Sequence, residues 1–319
     1  MSGASSTAGC GPLLVALNNW VGEVVLSLPA LRRLAAAGYA LELVGKPWAV
    51  PLLEGHGWPV HVRPARLRAR VRPLRALRAR LAHDSARFAH TRPMLVMTRS
   101  LSSALAPWLA GLKAAGYRAD GRSLLLAAAY PRVATAHAAL GYWNLVSQFL
   151  GAEAPFPAEL ALEIAPRRIG EARTRLAAEG LAPGGYAVLC PFSGADDRER
   201  RKVWPGFADL NVALLGLGLR TLVCPGPGEE QRAREQCPGA LVMTGVDLGL
   251  YAALLRAARC VIANDTGPGH LAAAAGARLV AVYGPQSVAA WAPLGARVTL
   301  LHPPAGWAST ADVLEAALA

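Results

Sequence analysis

The sequence predicts two α/β domains of similar size, each a parallel sheet flanked by helices. Three observations carry that prediction. At 319 residues the chain exceeds the size at which a single core keeps growing, so two domains are expected. Short apolar runs of strand length alternate with stretches of helical period along the whole chain. A stretch containing Ala154, Pro155, Pro157 and Pro166 falls near the middle and reads as the linker. The expected domains are residues 1–160 and 161–319.

In the first domain, residues 13–17 form an apolar run suited to a buried parallel strand, ending in the polar turn Asn18, Asn19, Trp20, Val21, Gly22. Val24, Val25, Leu28, Leu31 and Leu34 then recur at helical spacing until Gly38, and residues 41–44 read as the second strand. Residues 63–80 hold eight arginines, while Leu67, Val71, Leu74, Leu77 and Leu81 line one helical face. Pro73 suits a first helical position and places the helix start there. Two readings fit this segment: a solvated basic face, or a surface for lipid headgroups or acceptor phosphates. Residues 94–98 read as a strand and 102–115 as a helix. Between them Arg99, Ser100, Ser102 and Ser103 stand at a strand's carboxyl end, where they are placed to hydrogen-bond a sugar or, for Ser102, to cap the helix. Residues 142–150 read as a further helix.

In the second domain, residues 186–192 read as a strand followed by a polar loop from Ser193 to Arg201, then Lys202, Val203, Trp204 and a helix opened by Pro205. A basic residue entering a helix amino terminus opposes the helix dipole and calls for an anionic guest, which singles out Lys202. A strand over 221–224 leads through P-G-P-G to Glu229 and Glu230 at the next helix start, and another strand covers 241–244. The most informative stretch is 260–286, CVIANDTGPGHLAAAAGARLVAVYGPQ. Its apolar run 260–263 breaks at Asn264, Asp265, Thr266 and Gly267, a helix follows to Gly276, and residues 279–283 resume a strand before Gly284 and Pro285. Such a βαβ unit offers the N–H groups and positive dipole end of a helix at a strand's carboxyl end, where α/β proteins bind anions and phosphates. His270 lies one turn beyond Thr266. Residues 298–301 read as a last strand and 310–318 as a short capped helix.

The runs N-D-T-G-x-x-H-L-A-A-A and V-Y-G-P resemble the nucleotide-sugar motif of glycosyltransferase family nine, the lipopolysaccharide heptosyltransferases. The opening N-W-V-G-E-V-V-L-S-L-P-A-L-R-R-L, the run R-S-L-S-S-A-L-A-P-W-L-A-G-L and the K-V-W-P segment are also similar to that family. The resemblance implies an α/β, GT-B-like fold of two Rossmann-like domains facing a cleft, with the acceptor on the first and the nucleotide sugar on the second. It implies inverting, metal-independent transfer of heptose from ADP-heptose to a phosphorylated glycolipid acceptor, with no cofactor. Glu23 stands where the family normally has Asp, and its place in the first strand-to-helix turn suits the general base; Lys202 approaches the diphosphate. Asp265, Thr266, Gly267 and His270, with Ser193 and Glu229, are the expected donor contacts, and Arg99 and Ser100 the acceptor contacts. Pro268 and Gly269 depart from the family's usual residues while leaving the polar positions in register.

Composition bounds the remaining classes. Net charge is +12, which fits a phosphorylated or anionic partner, and no nucleic-acid motif accompanies it. Hydrophobic residues make up 53% of the chain, yet no apolar run approaches the roughly 20 residues of a membrane span. The amino terminus lacks the pattern of a secretion signal, so a cytoplasmic protein, peripheral at most on the inner membrane, is expected. Five cysteines without a C-x-x-C pair argue against a zinc site or a disulfide framework. A nicotinamide-dependent dehydrogenase is the rival enzyme class, but the first turn N-N-W-V-G-E lacks G-x-G-x-x-G. A catalytically inactive glycan- or nucleotide-binding relative is the second alternative, motivated by Glu23 and by Pro268-Gly269.

Overall fold

The structure, a computed structural model, describes residues 9–119, 121–192, 203–285 and 290–319. Among these, the residues of Met1–Val50 and Gly57–Phe156 form one compact unit, and those of Pro51–His56 and Pro157–Ala319 form the other. Each unit carries a six-stranded, all-parallel sheet with helices, so both are α/β and Rossmann-like.

The first sheet has the order β3-β2-β1-β4-β5-β6. Its strands are β1 (Gly11–Ala16), β2 (Tyr39–Gly45), β3 (Val60–Val62), β4 (Pro93–Val96), β5 (Lys113–Tyr117) and β6 (Ala128–Tyr130). Leu14 lies opposite Glu42 on one side and Met94 on the other, which makes β1 the interior strand its unbroken apolar run implies. The helices are α1 (Val21–Leu26), α2 (Leu28–Ala36), α4 (Leu67–Asp84), α5 (Ala86–Thr91), α6 (Leu101–Leu109) and α7 (Ala138–Leu150), while α3 (Ala49–Leu53) is divided between the units at Pro51. The helix expected from residue 24 to 34 is two, divided at Ser27, because Pro29 brings no N–H and the Ser27 hydroxyl donates to the Val24 carbonyl at 2.8 Å. One core cluster packs Leu74, Leu77 and Leu81 of α4 and Ala106 of α6 against Leu14, Val44, Met94 and Val96 of the sheet.

Two expectations are corrected here. The helix read over 102–115 stops at Leu109; Gly111 turns the chain at φ +75°, and Lys113–Tyr117 pairs between β4 and β6. Ala114 through Tyr117 are buried in the sheet, and that burial overrides the helix propensity of alanine. The helix expected to begin at Pro73 begins at Leu67 and runs through the proline. Its first turn is held from outside: Arg70 donates to the carbonyls of Pro64 and Ala65 at 3.0 and 2.7 Å, and Leu67 and Val71 pack on the core.

The second sheet has the order β12-β11-β10-β7-β8-β9. Its strands are β7 (Tyr186–Cys190), β8 (Arg220–Val223), β9 (Leu241–Val242), β10 (Cys260–Ala263), β11 (Leu279–Val282) and β12 (Val298–Leu301). Its helices are α8 (Pro166–Ala178), α9 (Phe207–Gly216), α10 (Glu230–Gln236), α11 (Leu248–Ala257), α12 (Gly267–Ala274) and α13 (Thr310–Leu318). The helix expected from Pro205 starts two residues later, because Trp204-Pro205-Gly206 is a turn in which the indole leaves no room for a Cβ on Gly206. Trp204 is 2% exposed, stacks edge-on against Phe207 and donates from Nε1 to the Ala308 carbonyl at 2.9 Å, tying α9 to the turn before α13. α13 opens on a complete capping box of Ser309 and Asp312, and its Val313 and Ala317 enter the same core.

The segment Pro51–His56 sits against α8 and α11 of the second unit. Glu54 pairs with Arg167 and, at 3.5 Å, with Arg168; Arg168 also reaches Glu171 at 2.7 Å and Asp247. A Cβ on Gly249 would stand 2.3 Å from the Pro51 carbonyl oxygen, so glycine is what admits the segment there.

Candidate active site

The strand orders locate the sites. In a doubly wound sheet, ligands bind beyond the carboxyl ends of the strands where the winding reverses. In the first unit that point lies between β1 and β4, and in the second between β10 and β7. The turns after these strands, among the described residues, are Asn18–Trp20, Thr98–Ser100 and Asn264–Thr266.

In the first unit Glu23 occupies the opening turn of α1, at whose amino cap Trp20 offers no side-chain acceptor. The carboxylate takes that place: it accepts the backbone N–H groups of Asn19 and Trp20 and faces the Tyr142 hydroxyl at 3.5 Å. Burial holds the Glu23 carboxyl above the ordinary glutamate range, only partly offset by the Asn19 and Trp20 N–H groups, the Arg99 charge and the Tyr142 hydroxyl. Burial, and then the Glu23 charge, push the Tyr142 phenol up, so it stays protonated and donates. A half-buried carboxylate with a raised pKa at a sheet's switch point is a candidate for proton transfer. Trp20 beside it is 70% exposed, with the Lys46 ammonium 5.3 Å from the centre of its ring.

Arg99 and Ser100 are exposed in the turn after β4. Ser100, not Ser102, is the amino cap of α6, and its hydroxyl lies 3.1 Å from that of Ser102 without capping the helix. The turn rests on a residue that sequence reasoning passed over. Arg122 is fully buried and donates to the carbonyls of Thr98 at 2.5 Å and Tyr117 at 2.9 Å and to the Ser103 hydroxyl at 3.0 Å. A Cβ on Gly116 would come within 2.6 Å of that guanidinium, so Gly116 makes its space.

In the second unit β10 delivers the chain to Asn264, which is 1% exposed. Its Oδ1 accepts the Trp204 N–H at 2.8 Å and its Nδ2 donates to the Cys190 carbonyl at 3.4 Å, joining the ends of β10 and β7 to the segment that enters α9. Thr266 is the amino cap of α12, but its hydroxyl donates back to the Asn264 carbonyl at 3.3 Å and does not cap the helix. With Pro268 in the first turn as well, the helix presents its dipole end with no capping bond from its own amino-cap side chain. Gly269 lets this turn close on the loop, since a Cβ there would stand 3.3 Å from the Asn264 oxygen, and Gly276 ends the helix region at φ +75°. Asp265 is bonded by the hydroxyl of Tyr283, the tyrosine of V-Y-G-P at the end of β11; burial, and then Asp265, push that phenol well up. His270 is 5% exposed, an interior residue of the first turn.

Glu229 stands at the amino-cap position of α10 without capping it, and its Oε2 accepts the Gly226 N–H at 2.9 Å, closing the P-G-P-G loop after β8. Thus Asp265, Thr266, Gly267 and His270 are gathered at one switch point, and Glu23, Arg99 and Ser100 at the other, while Glu229 stands two strands from β10 in the sheet order. Ser193 and Lys202 lie outside the described residues. Among the residues missed, Tyr142 and Tyr283 carry a signal, since each is a hydroxyl-bearing side chain inside an otherwise apolar run and a buried polar group needs a partner, whereas Arg122, in R-A-D-G-R-S, carries none.

Comparison with known proteins bears on the fold and the family. The family model for glycosyltransferase family 9 (heptosyltransferase) matches residues 89–311. No curated protein sequence matches the chain significantly. Among solved structures, the chain is similar to ADP-heptose LPS heptosyltransferase II of E. coli, with 21% identity over 96% of this chain and 97% of that one and a TM-score of 0.75. It is similar to a family 9 glycosyltransferase from Veillonella parvula, with 21% identity over 92% and 86% of the two chains and a TM-score of 0.77. It is also similar to E. coli heptosyltransferase WaaC with ADP, with 22% identity over 95% and 98% and a TM-score of 0.71. These likenesses show the heptosyltransferase fold, and the family assignment sets aside the dehydrogenase reading. The chain belongs to glycosyltransferase family 9 and is a glycosyltransferase.

Proposed function

We propose that the enzyme moves a heptose from ADP-heptose to a hydroxyl of a phosphorylated lipopolysaccharide core acceptor, inverting the anomeric centre. The observation that carries the proposal is the terminus of α12, a helix dipole end at a switch point whose amino-cap residue Thr266 does not cap it with its side chain, which suits a diphosphate. Similar folds have been solved with ADP and with an ADP-heptose analogue, which supports adenosine diphosphate as the nucleotide. Thr266 and Gly267 receive the diphosphate, Tyr283 holds Asp265 in the turn, His270 supports it from within, Lys202 and Ser193 close on the phosphates, and Glu229 meets the ribose. In the first unit Arg99 and Ser100 bind the acceptor and Glu23 takes its hydroxyl proton. As that oxygen bonds to the anomeric carbon, the bond to the diphosphate breaks and ADP departs with the electron pair, its charge met by the helix terminus and Lys202. No acid is needed for so good a leaving group. We read the transfer as metal-independent, as the resemblance to the heptosyltransferases implies.

The basic segment supports a peripheral place on an anionic membrane. Arg80 is the one arginine of residues 63–80 in an ion pair among the described residues, with Glu42 and Asp84. No described helix is long and apolar enough to cross a membrane.

The test is thermal stabilisation with ADP-heptose and with UDP- and GDP-sugars. A ligand at a hundred times its Kd stabilises the native state by about 2.7 kcal/mol, so ADP-heptose should raise the melting temperature clearly above the other donors. Equal shifts, or none, would remove the donor assignment.

A further inference from the structure

The first unit contains a cavity that the proposed transfer does not use. It has a volume of about 270 Å³ and lies between α4, α6 and the sheet, and Glu23, Arg99 and Ser100 are not among its lining residues. Val44, Leu74, Leu77, Met94 and Ala106 form a buried apolar wall, with the Ser102 and Ser103 side of α6 beside it. At its polar side stand His61, Arg63 and Arg70, all partly exposed, which makes that side the mouth. His61 is engaged by Glu42 at 2.5 Å. The two arginines differ from it: Arg63 meets the Asn19 side-chain oxygen and Arg70 two backbone carbonyls, all neutral, and neither forms an ion pair among the described residues.

Two features of this cavity point to the same ligand chemistry. An apolar wall of this kind gains by taking an apolar guest, and the cavity's size, just below the roughly 300 to 1,000 Å³ of small-molecule sites, suits a single chain better than a fused ring system. Two adjacent guanidiniums without a carboxylate repel each other and favour an anion between them. In agreement, burial and then the Arg70 charge hold Arg63 below its ordinary pKa. We propose that this cavity binds an anionic single-chain amphiphile, its hydrocarbon tail among Val44, Leu74, Leu77, Met94 and Ala106 and its phosphate or carboxylate on Arg63 and Arg70. The tail belongs either to the acceptor glycolipid, which would deepen the reading above, or to a free amphiphile of the membrane.

Titration calorimetry of the full chain with inorganic phosphate and with butyl, hexyl, octyl and decyl phosphate, below their micelle concentrations, tests this directly. One-to-one affinity should rise about fourfold per added methylene and level off once the cavity is filled. Ala106→Leu, which fills the chamber, should move the plateau to a shorter chain, and Arg63→Gln with Arg70→Gln should weaken octyl phosphate at least tenfold. Octyl phosphate binding no tighter than inorganic phosphate, or an increase with length that never levels, would overturn the proposal even if Ala106→Leu fails to fold. Competition then separates the sources. Displacement of octyl phosphate by acylated but not by deacylated inner-core lipopolysaccharide assigns the tail to the acceptor; displacement by lysophosphatidate alone assigns it to a free amphiphile. Because binding is read without turnover, a failed transfer assay leaves this result standing.

Discussion

Replacing Glu23 by glutamine separates a catalytic carboxylate from a helix cap, because the two roles predict opposite changes in stability. A carboxylate that only complements the dipole of α1 contributes about 0.3 to 1 kcal/mol, so its loss should lower the melting temperature by roughly 1 to 4 °C in a domain of this size. In the structure burial outweighs the Asn19 and Trp20 N–H groups, Arg99 and Tyr142, and the carboxyl pKa is raised. The stability linked to a raised acid pKa is fully present below the ordinary glutamate range and is lost as pH rises through the raised value, since the unfolded chain gives up its proton first. Above the ordinary glutamate range the carboxyl therefore costs stability, and glutamine, which cannot ionise, escapes that cost. Glu23→Gln should melt no lower than wild type at pH 7, and its advantage should grow as pH rises through the raised pKa. Turnover should fall about 100- to 10,000-fold with donor affinity unchanged, the loss expected for a general base. Scanning calorimetry across pH 4 to 8 and initial rates at saturating acceptor read both effects. A lower melting temperature with turnover within a few fold of wild type would refute the reasoning and revive the inactive-relative alternative.

Other expectations follow from single contacts. Tyr142→Phe removes a donor that favours ionised Glu23, so the acidic limb of the kcat/KM profile should move to higher pH while the wild-type limb already lies above the ordinary carboxylate range. Trp204→Ala empties the indole site beneath Phe207 and breaks the bond to Ala308, and chemical denaturation should show a loss of about 3 to 5 kcal/mol. Reversing the charge of three arginines in residues 63–80 should reduce binding to anionic vesicles, and wild-type binding should fall steeply with salt, as screening over about 8 Å requires; salt-independent binding would favour the solvated-face reading.

Much of this fold was legible in the chain because buried parallel strands write themselves as unbroken apolar runs. Residues 13–17 and 260–263 fell on β1 and β10, and the break at Asn264–Gly267 fell on the start of α12. What the pattern could not show is where tertiary contact overrides it. K-A-A-G-Y has no strand signature by composition and is a strand because β4 and β6 pair with it on either side. Pro73 reads as a helix start and is instead an interior proline, held by Arg70 contacts made with residues outside the helix. Nothing local in P-L-L-E-G-H marks Pro51–His56 for the second unit; the signal lies more than a hundred residues away, in Arg167 and Arg168.

The candidate site divides in the same way. Glu23, Asp265 and Thr266 stood out because polar residues at the end of an apolar strand are conspicuous. Tyr142 and Tyr283 did not, because each is an aromatic in a buried element, and only the fold brings its hydroxyl to a carboxylate. Arg122 looked like one basic residue among many in a chain of net charge +12, yet it is buried and holds the turn that carries Arg99 and Ser100.

The central claim is that this chain transfers a heptose with inversion, using Glu23 as base and the α12 terminus with Lys202 for the departing diphosphate. Its most direct measurement is a product assay with ADP-heptose and an inner-core lipopolysaccharide acceptor, run with the wild type and with Lys202→Ala. The wild type should release ADP and form one glycosidic bond of configuration opposite to the donor's, and Lys202→Ala should bind ADP about tenfold to a hundredfold more weakly, the loss expected for a charge-assisted hydrogen bond. A product that retains the donor's configuration, or an absence of transfer from ADP-heptose while another nucleotide sugar is consumed, would contradict it.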